Sequence, residues 1–195
     1  MTLMTFFKDV YKSGTAPWII DRPQPAFKRV LKEGFISGDV LDVGCGVGDN
    51  SIFLAKKGFK VVGIDFVDEA IQLAKSKALD ANVKIEFIVK NALQLEALGR
   101  AFDTIIDSGL FHTFSNIQRV SFIASLKNVL KIGGIYIMMC FSELEKGNYG
   151  PRRISKEEIK KLFKDYWEIQ EIRPEIFESN WGNAKAWLSL IRRIK

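Results

Sequence analysis

The stretch Leu41-Asp42-Val43-Gly44-Cys45-Gly46-Val47-Gly48-Asp49-Asn50 decides the fold. Asp39 to Val43 reads as a short buried strand, and the glycines at 44, 46 and 48 break it into a tight turn. Asp49 or Asn50 then caps a helix that Gly58 closes. Glycine accepts left-handed backbone angles and lets a ligand approach the main chain, so strand, glycine turn and helix in that order form a nucleotide-binding turn.

Working outward, Lys60 to Asp65, Lys84 to Val89, Phe102 to Asp107 and Ile135 to Phe141 are rich in Val, Ile or Phe and predict further strands. Helical stretches lie between them. Asp68 caps Glu69 to about Leu79, and Ala26 to Glu33 forms an earlier helix. Ser115-Asn116-Ile117-Gln118 and Ser155-Lys156-Glu157-Glu158 each match the capping box, and Gly133-Gly134 stops the first of those two helices. Trp167 to Ile172 and Lys185 to Ile194 read as two last strands, joined by a loop holding Pro174, Asn180 and Gly182. The alternation predicts an α/β fold: a mostly parallel sheet, helices on both faces and a C-terminal antiparallel hairpin.

The 195 residues fit a single domain, divided here into an N-terminal flap and helix (1–37), a core (38–141), and a loop, helix and hairpin (142–195). Pro17, Pro23 and Pro25 interrupt any long helix in the flap. The longest apolar run, Ile132 to Phe141, is shorter than the roughly 18 residues of a membrane span, so no membrane partner is expected. No secretory signal is visible at Met1 to Val10, which predicts a cytoplasmic protein. Cys45 and Cys140 lack the spacing of a metal knuckle or redox pair, so they read as reduced thiols, with no metal site expected. The net charge of +6 comes from 29 basic and 23 acidic residues mixed along the chain, which gives little support to nucleic acid as a partner.

Which nucleotide the turn serves follows from its acids. Dinucleotide sites favour G-x-G-x-x-G and seat a pyrophosphate on the helix N-terminus. Here the spacing is G-x-G-x-G, with Asp42 before it and Asp49 at the start of the helix, where it would repel a pyrophosphate. S-adenosylmethionine carries an ammonium and a sulfonium and no phosphate, so it is compatible with these carboxylates. Asp65 ends the second strand roughly twenty residues beyond the turn, where an acid accepts hydrogen bonds from both ribose hydroxyls.

The motifs extend the reading. Leu41 to Gly48 resembles the first motif of the class I S-adenosylmethionine-dependent methyltransferases, and Val62-Gly63-Ile64-Asp65 their second. Phe102 to His112 and Leu130-Lys131-Ile132-Gly133-Gly134 resemble later motifs of that family, so the likeness covers Gly38 to Phe141. Pro17-Trp18, Arg22-Pro23-Gln24-Pro25 and Tyr149-Gly150-Pro151-Arg152-Arg153 resemble a small-molecule subgroup related to thiopurine and thiol methyltransferases. The resemblance implies a Rossmann-like fold with a seven-stranded sheet, S-adenosyl-L-methionine as cofactor and S-adenosyl-L-homocysteine as product. By position it implies that Gly44, Cys45 and Gly46 approach the methionine part, Asp65 holds the ribose and Phe66 flanks adenine. Asn91 and Ala92 follow the third strand, and Asn91 stands where the family often has an acid that reads the adenine amino group. Asp107 falls where the family contacts the amino-acid end, largely through the main chain.

The methyl acceptor is less legible. His112, the single histidine, follows the fourth strand at the ligand-binding edge and is the candidate general base; the alternative is a histidine that hydrogen-bonds a loop carbonyl or cofactor group. Trp18, Phe111 and Phe114 are candidates to line a pocket near the sulfonium, worth about 0.5–2 kcal/mol each as cation–π faces, against core packing as the alternative. Trp18 is counted with the cofactor; Tyr11 and Phe111 are counted with the acceptor. Arg152 and Arg153 are candidates for a substrate carboxylate or phosphate, against solvated surface charge. The expectation is a monomer or homodimer that methylates a small-molecule substrate. Alternatives are a nucleic-acid or protein methyltransferase, a non-catalytic S-adenosylmethionine-binding module, and an NAD-dependent enzyme.

Overall fold

The structure, a computed structural model, describes residues 3–195, with side chains from Thr5 onward. The first two residues of the expected flap lie outside the described residues. Seven strands form one sheet: β1 (Val40–Val43), β2 (Val61–Asp65), β3 (Glu86–Val89), β4 (Phe102–Ser108), β5 (Leu130–Phe141), β6 (Trp167–Phe177) and β7 (Ala184–Arg193). Their order is β3-β2-β1-β4-β5-β7-β6. β1 to β5 pair in parallel, and β7 pairs antiparallel with both β5 and β6. The expected α/β architecture is therefore present, hairpin included.

Both faces of the sheet are buried, and the two-residue period of β5 shows how. Ile135, Ile137, Met139 and Phe141 join one apolar cluster, which also contains Ala26, Phe27 and Val30 of α2 (Pro25–Lys32) and Leu54 of α3 (Asp49–Lys56). Tyr136, Met138 and Cys140 join the other, with Phe122, Leu126 and Val129 of α5 (Asn116–Val129) and Ile159 of α6 (Lys156–Leu162). The remaining helices are α1 (Leu3–Ser13) and α4 (Asp68–Asp80). Among the described residues, no helix is long and apolar enough to cross a membrane.

Local chemistry places most boundaries. Ser115 and Ser155 cap α5 and α6 through complete capping boxes with Gln118 and Glu158, each typically worth about 1 kcal/mol. Three expectations are corrected. The residue capping α3 is Gly48, in a left-handed conformation, while Asp49 is held 2.6 Å from Lys77 Nζ. α5 stops at Val129, ahead of Gly133-Gly134, because Leu130 is already extended and paired with Phe102. Pro174 lies inside β6 opposite Trp187 rather than in a loop; β6 is the sheet edge, where a residue without an N–H is tolerated within a strand.

Candidate active site

β1 and β4 are neighbours in space but not in sequence, so the strand order reverses between them. Ligands of open α/β sheets bind at such a point, beyond the carboxyl ends of the strands. A cavity of about 730 Å³ opens there, lined from the ends of β1, β2, β4 and β5 and from the neighbouring ends of β6 and β7. Its size falls within the range of roughly 300–1,000 Å³ usual for small-molecule sites.

One end is built by the glycine turn. The Cys45 amide donates to Ile64 O at 2.9 Å, which ties the turn to β2. The Gly46 amide donates to Asp65 Oδ2 at 3.0 Å and the Val67 amide to Asp65 Oδ1 at 2.9 Å. A carboxylate offers about four acceptor positions, so the 6% exposed Asp65 keeps capacity for two further donors such as a pair of vicinal hydroxyls. Burial raises its pKa, and the Val67 and Gly46 amides oppose that rise.

Gly46 has φ +54°, and a β-carbon there would stand 3.0 Å from Tyr11 Oη. That hydroxyl comes from α1, which lies over the turn. Trp18 Nε1 donates to Tyr11 Oη at 3.0 Å, and Phe7 packs edge-on against Trp18 and Phe66 at 5.4 and 5.8 Å between ring centroids. Burial, and then the Asp65 charge, hold the Tyr11 phenol well above its ordinary pKa. Lys8 and Lys12 reach Glu69 of α4 at 3.3 and 3.5 Å, which fastens α1 from outside. Behind α1, Gln24 grips residue 178 with both amide atoms, donating to its carbonyl at 2.8 Å and accepting from its amide at 3.0 Å. The Asn180 amide donates to Pro17 O at 2.8 Å. The N-terminal segment and the β6–β7 loop thus form one roof.

The other end is aromatic and holds His112, Phe114, Phe141, Tyr149, Phe177 and Trp181. His112 is 5% exposed, and its Nδ1 accepts the Phe141 amide at 3.0 Å. Its ring lies edge-on to Phe141 at 4.9 Å and 6.1 Å from Phe177. Burial, then the charges of Arg119 and Arg153, lower its pKa to about 3.

Of the residues singled out in the sequence, Tyr11, Trp18, Gly44, Cys45, Gly46, Asp65, Phe66, His112, Phe114 and Arg152 line this one cavity. Asp42, Asn91, Ala92, Asp107, Phe111 and Arg153 are not among its lining residues. Asp42 is buried beneath the turn and accepts from Ser51 Oγ at 2.6 Å. Asp107 accepts from the Leu110 and Phe111 amides at 2.8 and 3.1 Å and from Tyr136 Oη at 2.8 Å, fixing the chain after β4. Burial pushes both carboxyls up to about 7. Asn91 Oδ1 accepts from the Leu93 amide at 2.9 Å and caps a short 3₁₀ turn, Ala92–Leu98. Phe111 is wholly buried against Phe122 and Phe163. Arg153 donates to the carbonyls of Tyr149 and Pro151 at 2.5 and 2.6 Å and so shapes its own loop. Arg152 stays at the rim, bound to Asn116 Oδ1 at 2.7 Å and Glu158 at 3.1 Å.

Phe6, Phe7, Phe141, Phe177 and Trp181 line the cavity without having been singled out as site residues in the sequence, and Gln24, quoted there only within the Arg22-Pro23-Gln24-Pro25 motif, lines it too. Phe141 and Phe177 end strands whose other apolar residues are core, so composition does not separate them. Gln24 sits between two prolines, a signal of fixed backbone rather than of a ligand.

The chain is similar to known proteins. The methyltransferase domain family matches residues 40–134. The 2-heptyl-1-hydroxyquinolin-4(1H)-one methyltransferase of Mycobacteroides abscessus is 32% identical over 167 residues, covering 84% of this chain and 74% of that protein. A solved structure described for the conversion of a disulfide bond into a thioacetal group during echinomycin biosynthesis superposes with TM-score 0.88 at 29% identity, over 98% of this chain and 93% of that one. The 1,6-didemethyltoxoflavin-N1-methyltransferase of Burkholderia thailandensis, solved with 1,6-didemethyltoxoflavin and S-adenosylhomocysteine, superposes with TM-score 0.81 at 18% identity over 99% and 88% of the two chains, a likeness of fold.

Proposed function

Because this chain belongs to the S-adenosylmethionine-dependent methyltransferases, we propose that it methylates a small-molecule acceptor held in the cavity under α1. One observation carries this reading: the cavity runs without a break from the glycine turn and Asp65 to the aromatic end at His112, beneath a roof made by the chain itself. A macromolecular substrate calls for an open face at the acceptor end, whereas Phe114, Phe141, Phe177 and Trp181 line a pocket for a small apolar body there.

When bound, S-adenosylmethionine supplies a methyl group activated by its sulfonium, which an acceptor atom takes by in-line displacement. Asp65 fits the ribose hydroxyls with its remaining acceptor positions, Phe66 flanks the adenine, and the main chain at Gly44 to Gly46 receives the methionine part. Trp18 and Phe7, packed over Phe66 and Tyr11, exclude water from that end. Such enclosure aligns acceptor and donor and strips solvent from both, which supplies much of the rate of a displacement that needs no covalent help from the protein. The cysteines, Cys45 and Cys140, are both free thiols, in keeping with a reducing cytoplasmic setting. The relative named for a hydroxyquinolinone supports a compact heteroaromatic acceptor.

The test is a labelled-methyl transfer assay against fractionated metabolites, with RNA and protein pools run beside them. Label is expected in the metabolite fraction and to depend on Asp65; label confined to a macromolecular pool overturns the small-molecule reading.

A further inference from the structure

We propose that His112 serves as a fixed hydrogen-bond donor that selects acceptors already ionised when they bind, and that it takes no proton during turnover. The inference rests on the methyltransferase reading above and names the acceptor class for that site.

The geometry decides the tautomer. The Phe141 amide points at Nδ1 from 3.0 Å, and an N–H donor requires a lone pair opposite it. A neutral imidazole carries one proton, so that proton is on Nε2. The ring then has no free lone pair with which to accept a proton from substrate. Protonating Nδ1 would set two N–H groups against each other and break the bond to Phe141, in a position 95% removed from solvent. Nε2 lies 3.3 Å from where a β-carbon of Gly109 would stand, as the Phe177 ring does at 3.0 Å, and Gly109, His112 and Phe177 all line the cavity. Among the described residues, no hydrogen bond occupies Nε2.

The surroundings favour an anion at that position. Arg119 from α5 and Arg153 from the loop after β5 are the charged groups that bear on the ring. Arg119 is 1% exposed, with Nε and Nη2 unpartnered among the described residues and Glu158 at 3.5 Å from Nη1. On β5, burial pushes the Cys140 thiol up, so it stays uncharged. Of the other titratable groups lining the cavity, Asp65 stands at the glycine-turn end with two amides on it, burial pushes the Cys45 thiol up so that it stays uncharged, and Tyr11 Oη accepts from Trp18 Nε1. Asp49 is paired with Lys77, Arg22 with Glu178, Arg152 with Asn116 and Glu158, and Tyr149 with Glu145.

With no free base at the acceptor end, the acceptor's proton leaves to bulk water before binding. The acceptor's lone pair then forms the new bond to carbon, the pair of the broken carbon–sulfur bond stays on sulfur, and no proton moves within the site. This suits a thiol, an N-hydroxy heterocycle or an acidic phenol, each with an anion that accepts from Nε2–H. It excludes an aliphatic alcohol.

His112 is the chain's single histidine, so ¹⁵N NMR reports it without assignment. The expected spectrum is that of the Nε2–H tautomer, unchanged from about pH 8 to about pH 5, free and with S-adenosylhomocysteine plus 4-nitrobenzenethiol bound. An Nδ1–H tautomer, or imidazolium formed anywhere in that range or on binding the thiol, overturns the proposal. In turnover, the pH midpoint of kcat/KM across a series of ring-substituted thiophenols and nitrophenols should follow the acceptor's own pKa; a midpoint fixed across the series overturns it. His112→Leu should weaken binding of the 4-nitrobenzenethiol anion by roughly 10–100-fold, with His112→Gln, which keeps an N–H near the same place, losing less. Equal losses in the two variants count against the donor role. Absence of methyl transfer to any small molecule would instead defeat the function reading, while the NMR result still decides the tautomer.

Discussion

The Gly46 amide donates to Asp65 Oδ2 at 3.0 Å, so the turn after β1 and the acid that ends β2 form one hydrogen-bonded unit. With Val67 on Oδ1, that unit fixes the carboxylate and aims its free acceptor positions at the cavity. Asp65→Ala removes two possible charge-assisted bonds to a ribose, each worth about 1.5–3 kcal/mol. Calorimetric titration with S-adenosylhomocysteine should show affinity at least about 100-fold weaker. A loss under about threefold would mean that the ribose is held elsewhere.

Gly46 and Tyr11 should be energetically coupled. Alanine at 46 meets both a left-handed backbone angle, typically costing about 1–3 kcal/mol, and the Tyr11 hydroxyl at 3.0 Å. Tyr11→Phe removes the hydroxyl and relieves only the second penalty. In a double-mutant cycle by urea unfolding, Gly46→Ala should therefore cost less beside Tyr11→Phe, by at least about 0.5 kcal/mol. Strict additivity would show that α1 moves aside without resistance.

The roof depends on charge as well as on aromatic packing. Lys8 and Lys12 converge on Glu69, and Glu69→Lys turns that attraction into repulsion. Amide exchange in α1 should quicken and S-adenosylhomocysteine affinity should fall. The difference from the unmodified protein should shrink with added salt, because screening at 0.1 M acts over about 10 Å. Unchanged exchange in α1 would assign its docking to Phe7, Tyr11 and Trp18 alone.

These contacts mark where the sequence was legible. Strand, glycine turn and terminal acid lie within one βαβ stretch, so local spacing reports their geometry directly, and both capping boxes are complete within four residues. The roof is different in kind. Gln24 meets residue 178 and Asn180 meets Pro17 across most of the chain, and no local pattern encodes such pairings. Asp42 and Asn91 are ambiguous for a related reason: a carboxylate before a glycine turn and an amide after a strand suit a ligand, yet equally suit Ser51 and the Leu93 amide. Burial, which separates these readings, comes from tertiary packing. His112 is the sharpest case, since its position after β4 suits either proton transfer or a fixed hydrogen bond, and the Phe141 amide on Nδ1 comes from the end of β5, outside any local pattern.

Asp42 should leave a signature in stability. Burial raises its pKa from 3.8 to about 7, against the bond from Ser51 and with the Asp107 charge adding to the rise. Between those values the folded protein keeps a proton that the unfolded chain has released, so stability falls as pH rises. The contribution is fully present below 3.8 and lost above about 7. His112 acts in the opposite sense: with its pKa lowered from 6.5 to about 3, it costs stability on acidification below 6.5. Asp42→Asn removes only the first effect, and its side-chain oxygen can still accept from Ser51. Relative to the unmodified protein, the variant should therefore gain stability between about pH 5 and about pH 8 in urea unfolding. A difference that is the same at both ends would show that Asp42 is ionised in the folded state throughout, and that its burial is offset by contacts stronger than the Ser51 hydroxyl.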